Sequence, residues 1–132
     1  MPTMAAITVK KNDGVTNIVY SSVVASGGDK SPAVWRSNTV GTAAGQRPEL
    51  RVSSRPNGDG TARRVEGSFS YPSLVTGSDG RINVANRFNL QFSAIVPLGM
   101  LDVDINEAGA QSMNLLADAL IKAVMQSGFA PT

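Results

Sequence analysis

Three stretches between Glu49 and Val96 alternate polar and apolar residues with a period of two, and after Pro97 the period becomes that of a helix. In the first, Glu49, Arg51, Ser53 and Arg55 oppose Leu50, Val52 and Ser54. In the second, Arg64, Glu66, Ser68 and Ser70 oppose Val65, Gly67, Phe69 and Tyr71, and in the third Arg87, Asn89, Gln91 and Ser93 oppose Phe88, Leu90, Phe92, Ala94 and Val96. Each is a half-buried strand with one polar and one apolar face. The turn Pro56-Asn57-Gly58-Asp59-Gly60 makes the first two antiparallel neighbours. Pro72 is expected to end the second, leaving Ser73 to Ile82, centred on Thr76, Gly77, Ser78, Asp79 and Gly80, as a loop tip rather than a tight turn.

Upstream, Ala5 to Lys10 and Val15 to Tyr20 flank Lys11-Asn12-Asp13-Gly14, whose Asp-Gly pair suits a hairpin. Pro32 to Thr39, which carries the only tryptophan, Trp35, suggests another strand, followed by a flexible Gly41 to Gly45 stretch. Downstream, Asp104 is expected to cap a helix with Glu107 three residues on, and Ile105, Met113, Leu116 and Leu120 fall near helical spacing. Asp118 can start a second helix after a bend near Ala117, and Gly128 suits a left-handed cap.

The order is α+β, an N-terminal β-hairpin and antiparallel sheet followed by C-terminal helices. One domain is expected over 1–132, with the hairpin at about 5–20, the sheet at about 32–96 and the helices at about 104–127. Short amphipathic helices cannot cover five or six strands by themselves. Dimerisation, with helices crossing onto a second copy's sheet, would cover the apolar face and pair an exposed edge.

Composition narrows the chemistry. The 132 residues contain no cysteine and no histidine, which removes disulfides, thiolate metal sites and the usual general base. Asp102, Asp104 and Glu107 are better explained as helix-terminus charges than as an acid, base or metal set, so no catalytic residue, metal or cofactor is expected. The glycines of residues 76–80 lack the following helix and Lys-Ser/Thr pair of a nucleotide cradle. No apolar run approaches the roughly 20 residues of a membrane-spanning helix, and the first residues lack the pattern of a secretory signal, so a soluble chain folding in the cytoplasm is expected. Net charge is only +2, but seven arginines and four acidic residues lie between Arg47 and Arg87, whereas the remainder is slightly acidic. The basic part coincides with the alternating strands.

The closing stretch, Ile95-Val96-Pro97 through Asn106-Glu107-Ala108, Asn114-Leu115-Leu116-Ala117, Leu120-Ile121-Lys122 and Gly128-Phe129-Ala130-Pro131-Thr132, resembles the C-termini of coat proteins of single-stranded RNA bacteriophages, the leviviruses. The order of hairpin, tryptophan strand, alternating strands, Gly-rich loop, long strand and helices is similar to that family from end to end. The resemblance implies an interlocked dimer with a continuous ten-stranded sheet, helices over its outer face, and dimers assembling into a small icosahedral shell. It implies a homodimeric self-partner, single-stranded genomic RNA bound on the inner sheet face, a stem-loop whose binding represses translation, and a phage maturation protein as a further partner. No membrane partner is implied, and the protein would reside in the virion after assembly in the bacterial cytoplasm.

By position, the RNA face would be Arg51, Ser53, Arg55, Arg64, Glu66, Ser68, Asn89 and Gln91, and the assembly loop Thr76 to Gly80. The dimer core would be Trp35, Phe88, Leu90, Phe92, Met113, Leu116 and Leu120. The chain departs from the family pattern at Asn89, where a base-stacking aromatic is usual, so general RNA binding carries over while a particular hairpin does not. Without the resemblance, the arginines read sooner as a solvated face paired with Glu49 and Glu66 than as phosphate contacts. The rival class is a single-stranded nucleic-acid-binding module that forms no shell, whose expected exposed aromatics are missing from the polar faces.

Overall fold

Hairpin follows hairpin through the first part of the chain. The computed structural model describes residues 2–38 and 43–132. Its strands are β1 (Ile7–Lys10), β2 (Asn17–Val24), β3 (Ala33–Arg36), β4 (Glu49–Pro56), β5 (Ala62–Thr76) and β6 (Ile82–Pro97). They form one six-stranded sheet in the order β1-β2-β3-β4-β5-β6, and the pairings from β1 through β5 are antiparallel. Helices α1 (Asp102–Leu116) and α2 (Ala119–Ser127) follow. The fold is therefore α+β in the expected order. Two compact units divide the chain, Met1–Ile95 and Val96–Thr132.

Register sorts the residues of the sheet into two faces. Trp35 lies opposite Leu50, Leu50 opposite Phe69 and Ser22 opposite Trp35, so these share a face with Tyr20 and, through the hairpin, with Ile7. Tyr20 and Phe69 meet edge to face, with ring centroids 6.1 Å apart. The Trp35 indole N–H donates to the Ala5 carbonyl at 2.7 Å. β6 presents Phe92 to this same face against Gly67, where a Cβ would sit 2.0 Å from the ring's Cζ. Glycine in β5 is what lets that ring lie flat on the strand.

One turn is built three times. Gly14 N–H donates to the Lys11 carbonyl, Gly60 to Asn57 and Gly80 to Gly77, each at 3.0 Å, and each of these glycines has φ between +72° and +79°. The preceding aspartate accepts from amides just beyond: Asp13 from Val15 and Thr16, Asp59 from Thr61, and Asp79 from Arg81. The Thr16 hydroxyl and the Val15 and Thr16 amides hold the Asp13 carboxyl down to about 2. Each of the three is a tight turn ended by a left-handed glycine, the closing pairs Lys11–Thr16 and Asn57–Ala62 enclosing four residues and Gly77–Arg81 three.

That geometry corrects the expectation for residues 73–82. Extended backbone runs through Pro72 to Thr76 and resumes at Ile82, leaving a tight turn closed by the Gly77 N–H to Arg81 carbonyl bond at 2.8 Å. Pro72 does not end β5 because the pairing with β4 already stops at Ser70, so its missing donor breaks no bond with β4. Further up the chain, β2 runs past Tyr20 to Val24 with a register shift between Ser22 and Val24. Ala44–Gln46 forms a 3₁₀ turn, while Thr39 and Gly41, to which the expected strand and flexible stretch extended, lie outside the described residues.

In the second unit α1 starts two residues earlier than expected. Leu101, not Asp104, is the N-cap residue, its carbonyl accepting from Ile105 at 3.0 Å, and Asp102 and Asp104 sit in the first turn, where the helix dipole favours them. Asp118 caps α2 as expected, accepting from the Leu120 amide at 3.0 Å, and Gly128 closes it at φ +82°. No described helix is long and apolar enough to cross a membrane.

Little is buried. Among the described residues the only buried hydrophobics classed as core are Val34 and Ala62, and Ser37, Pro48 and Pro72 are buried beside them. Of the residues expected in a dimer core, Trp35 and Leu90 are half-buried, while Phe88, Phe92, Met113, Leu116 and Leu120 are exposed.

Candidate nucleic-acid interface

The face opposite Trp35 collects the polar side chains. Arg51 pairs with Ser68, Ser53 with Glu66 and Arg55 with Arg64, so six of the expected RNA-binding residues stand side by side on β4 and β5. A shallow groove of about 510 Å³ runs across them onto β6, lined by Pro32, Arg51, Ser53, Glu66, Gly67, Ser68, Gln91, Phe92 and Ser93. Asn89 follows Gln91 by strand alternation and lies outside that lining. Arg55 and Arg64 flank the groove and join it through Glu66.

Two carboxylates organise the arginines. Glu49 accepts from Arg36 Nη2 on Oε1 at 2.8 Å and from Arg51 Nε on Oε2 at 3.2 Å. Burial pushes Glu49 up, but its hydrogen bonds to Arg36 and Arg51 outweigh this and hold the carboxyl below the usual range. Glu66 uses Oε1 for both Arg55 Nη2, at 3.2 Å, and Arg64 Nη1, at 3.5 Å. Arg63 is turned to other partners, Asp29 and the Ser54 hydroxyl. The solvated pairing that sequence alone allowed is thus present, on a face that still carries more guanidinium than carboxylate.

Arg36 and Pro32 are parts of this face that sequence reasoning missed, and Ser93, set on the polar face by alternation, was left out of the expected RNA-binding set. Arg36 had a visible signal, since the alternation of β3 sets it apart from Trp35. Pro32 enters the groove only through tertiary placement. The expected assembly loop forms the Gly77 to Arg81 turn at the β5–β6 end, away from the groove lining.

Arginine forks on adjacent strands beside serine hydroxyls and a glutamine amide can contact phosphates and unpaired base edges. Phe92, whose ring lies on the other face against Gly67, is the one aromatic residue in the lining, which limits stacking.

No family model and no curated protein sequence matches the chain. Solved structures do. The chain has the fold found in phage coat particles. It is similar to a chain of the virus-like particle of Beihai levi-like virus 21, with a TM-score of 0.81 at 17% identity over 99% of both chains. A virus-like particle of bacteriophage NT-214 gives 0.80 at 13% identity, covering 99% of this chain and 100% of that one. The bacteriophage GA protein capsid gives 0.74 at 18%, covering 93% and 94%. The chain therefore shares its fold with these particle chains along nearly its whole length.

Proposed function

We propose that the protein is a non-enzymatic viral coat subunit that dimerises, assembles into a small icosahedral shell and holds single-stranded RNA on the polar face of its sheet. The observation that carries this reading is the end-to-end fold match to chains of phage particles. The exposure of Phe88, Phe92, Met113, Leu116 and Leu120 supports self-association, because a lone chain leaves so much apolar surface in water. In this reading those side chains, with Trp35 and Leu90, become core in the dimer. The RNA face comprises Arg51, Ser53, Arg55, Arg64, Glu66, Ser68, Asn89 and Gln91. An RNA stem-loop, translational repression and a maturation protein follow from the same kinship, and residence in the virion from shell formation.

Electron microscopy of the purified recombinant protein, with the ultraviolet absorbance ratio of the same chromatographic peak, tests it. Uniform particles with RNA-like absorbance are expected. A small, nucleic-acid-free species that never assembles with any salt or RNA would instead favour a binding module.

A further inference from the structure

Arg55 and Arg64 stand directly opposite each other on adjacent strands, an arrangement in which like charges repel unless an anion lies between them. In the free protein that anion is Glu66, and its hold is loose. One oxygen serves both guanidiniums, at 3.2 and 3.5 Å, and the three side chains are each about two-fifths exposed, at 42%, 40% and 41%. Glu49 differs on each count: it commits one oxygen to each arginine, makes its shorter contact at 2.8 Å, and is 20% exposed. The two carboxylates thus have different work. Glu49 fixes Arg36 and Arg51 in place, whereas Glu66 occupies a position that an outside oxyanion could take.

We propose that the Arg55–Arg64 pair is a phosphodiester-binding site and that Glu66 is its internal competitor, displaced when an RNA phosphate enters. This rests on the reading of the face as an RNA surface and adds to it the sign of one residue's effect: Glu66 opposes binding. A phosphate can present two oxygens to the two forks, where Glu66 Oε1 must be shared between them. Binding therefore exchanges a shared three-way contact for two charge-assisted ones, and the glutamate sets how readily the site lets go.

The test compares the full-length protein with Glu66→Gln and Glu66→Ala variants, binding a short poly-uridylate RNA by fluorescence anisotropy, with subunits dilute enough to leave the face open. At ~0.1 M salt both variants should bind about threefold to tenfold more tightly than the parent, the range expected for removing two partly exposed ion pairs. The salt dependence should steepen by up to about one unit, as the freed arginines each neutralise phosphate. Glu49→Gln should bring no gain, and in an Arg55→Ala background the gain from Glu66→Gln should shrink. A parent that binds RNA while both Glu66 variants bind equally or more weakly overturns the competitor role alone. A parent that binds no RNA at any salt overturns the RNA reading of the face and this inference with it.

Discussion

Gly67 is the residue whose replacement the sheet tolerates least for its size. A methyl there would meet the Phe92 ring at 2.0 Å from Cζ, so the ring or the strand has to shift. Gly67→Ala should therefore lower stability by about 1–3 kcal/mol in denaturant unfolding, the cost of overpacking a fitted contact. Phe92→Leu added to it should recover part of the loss, and equal stability of the parent and the Gly67→Ala protein would show that the strands shift freely. The alternation of β5 put Gly67 on the apolar face, so its side was legible in the sequence. What it faces was not, because the neighbour lies 25 residues on in β6 and no local pattern names it.

Among the elements, the strands and the break between the helices were readable because each rests on local chemistry: alternation, an Asp-Gly pair, an Asp cap. The misjudged boundaries were those decided by neighbours. Pro72 looks like a stop until β4 is seen to have ended its pairing at Ser70, and α1 begins at Asp102 although Asp104 is the better capping residue on propensity. The Gly77 to Arg81 turn offers the test at this scale. A two-residue Asn-Gly turn in place of residues 77–80 can still join β5 to β6, so it should leave dimers intact in size exclusion. Particles should be lost or malformed in micrographs if this turn makes contacts between dimers, and normal particles would remove the assembly role from it.

For the molecule as a whole, the decisive fact is how little one chain buries. Val34 and Ala62 are the only buried hydrophobics of the core among the described residues, and in the proposed dimer most apolar burial comes from the other copy. The proposed dimer makes stability a function of concentration, so the melting temperature of the unassembled protein should rise with each tenfold increase in concentration. A melting temperature indifferent to concentration would mean that a single chain is self-sufficient. The candidate interface was legible as a set of residues on one face, since period-two alternation aligns them. Its charge balance was not, because sharing Glu49 and Glu66 between pairs of arginines depends on cross-strand register.

The strand order has a consequence for how the chain comes to be folded. Every strand lies beside its neighbour in sequence, so the sheet closes as a series of short loops and waits for no distant segment. Synthesis from the N-terminus delivers β1 to β6 before Asp102, which means the sheet's order can be settled on the nascent chain while the exposed leucines of the helices are still unmade. The sheet's apolar face thus exists before the apolar residues of the helices do, and the proposed pairing with a second chain is a later step than the ordering of the strands.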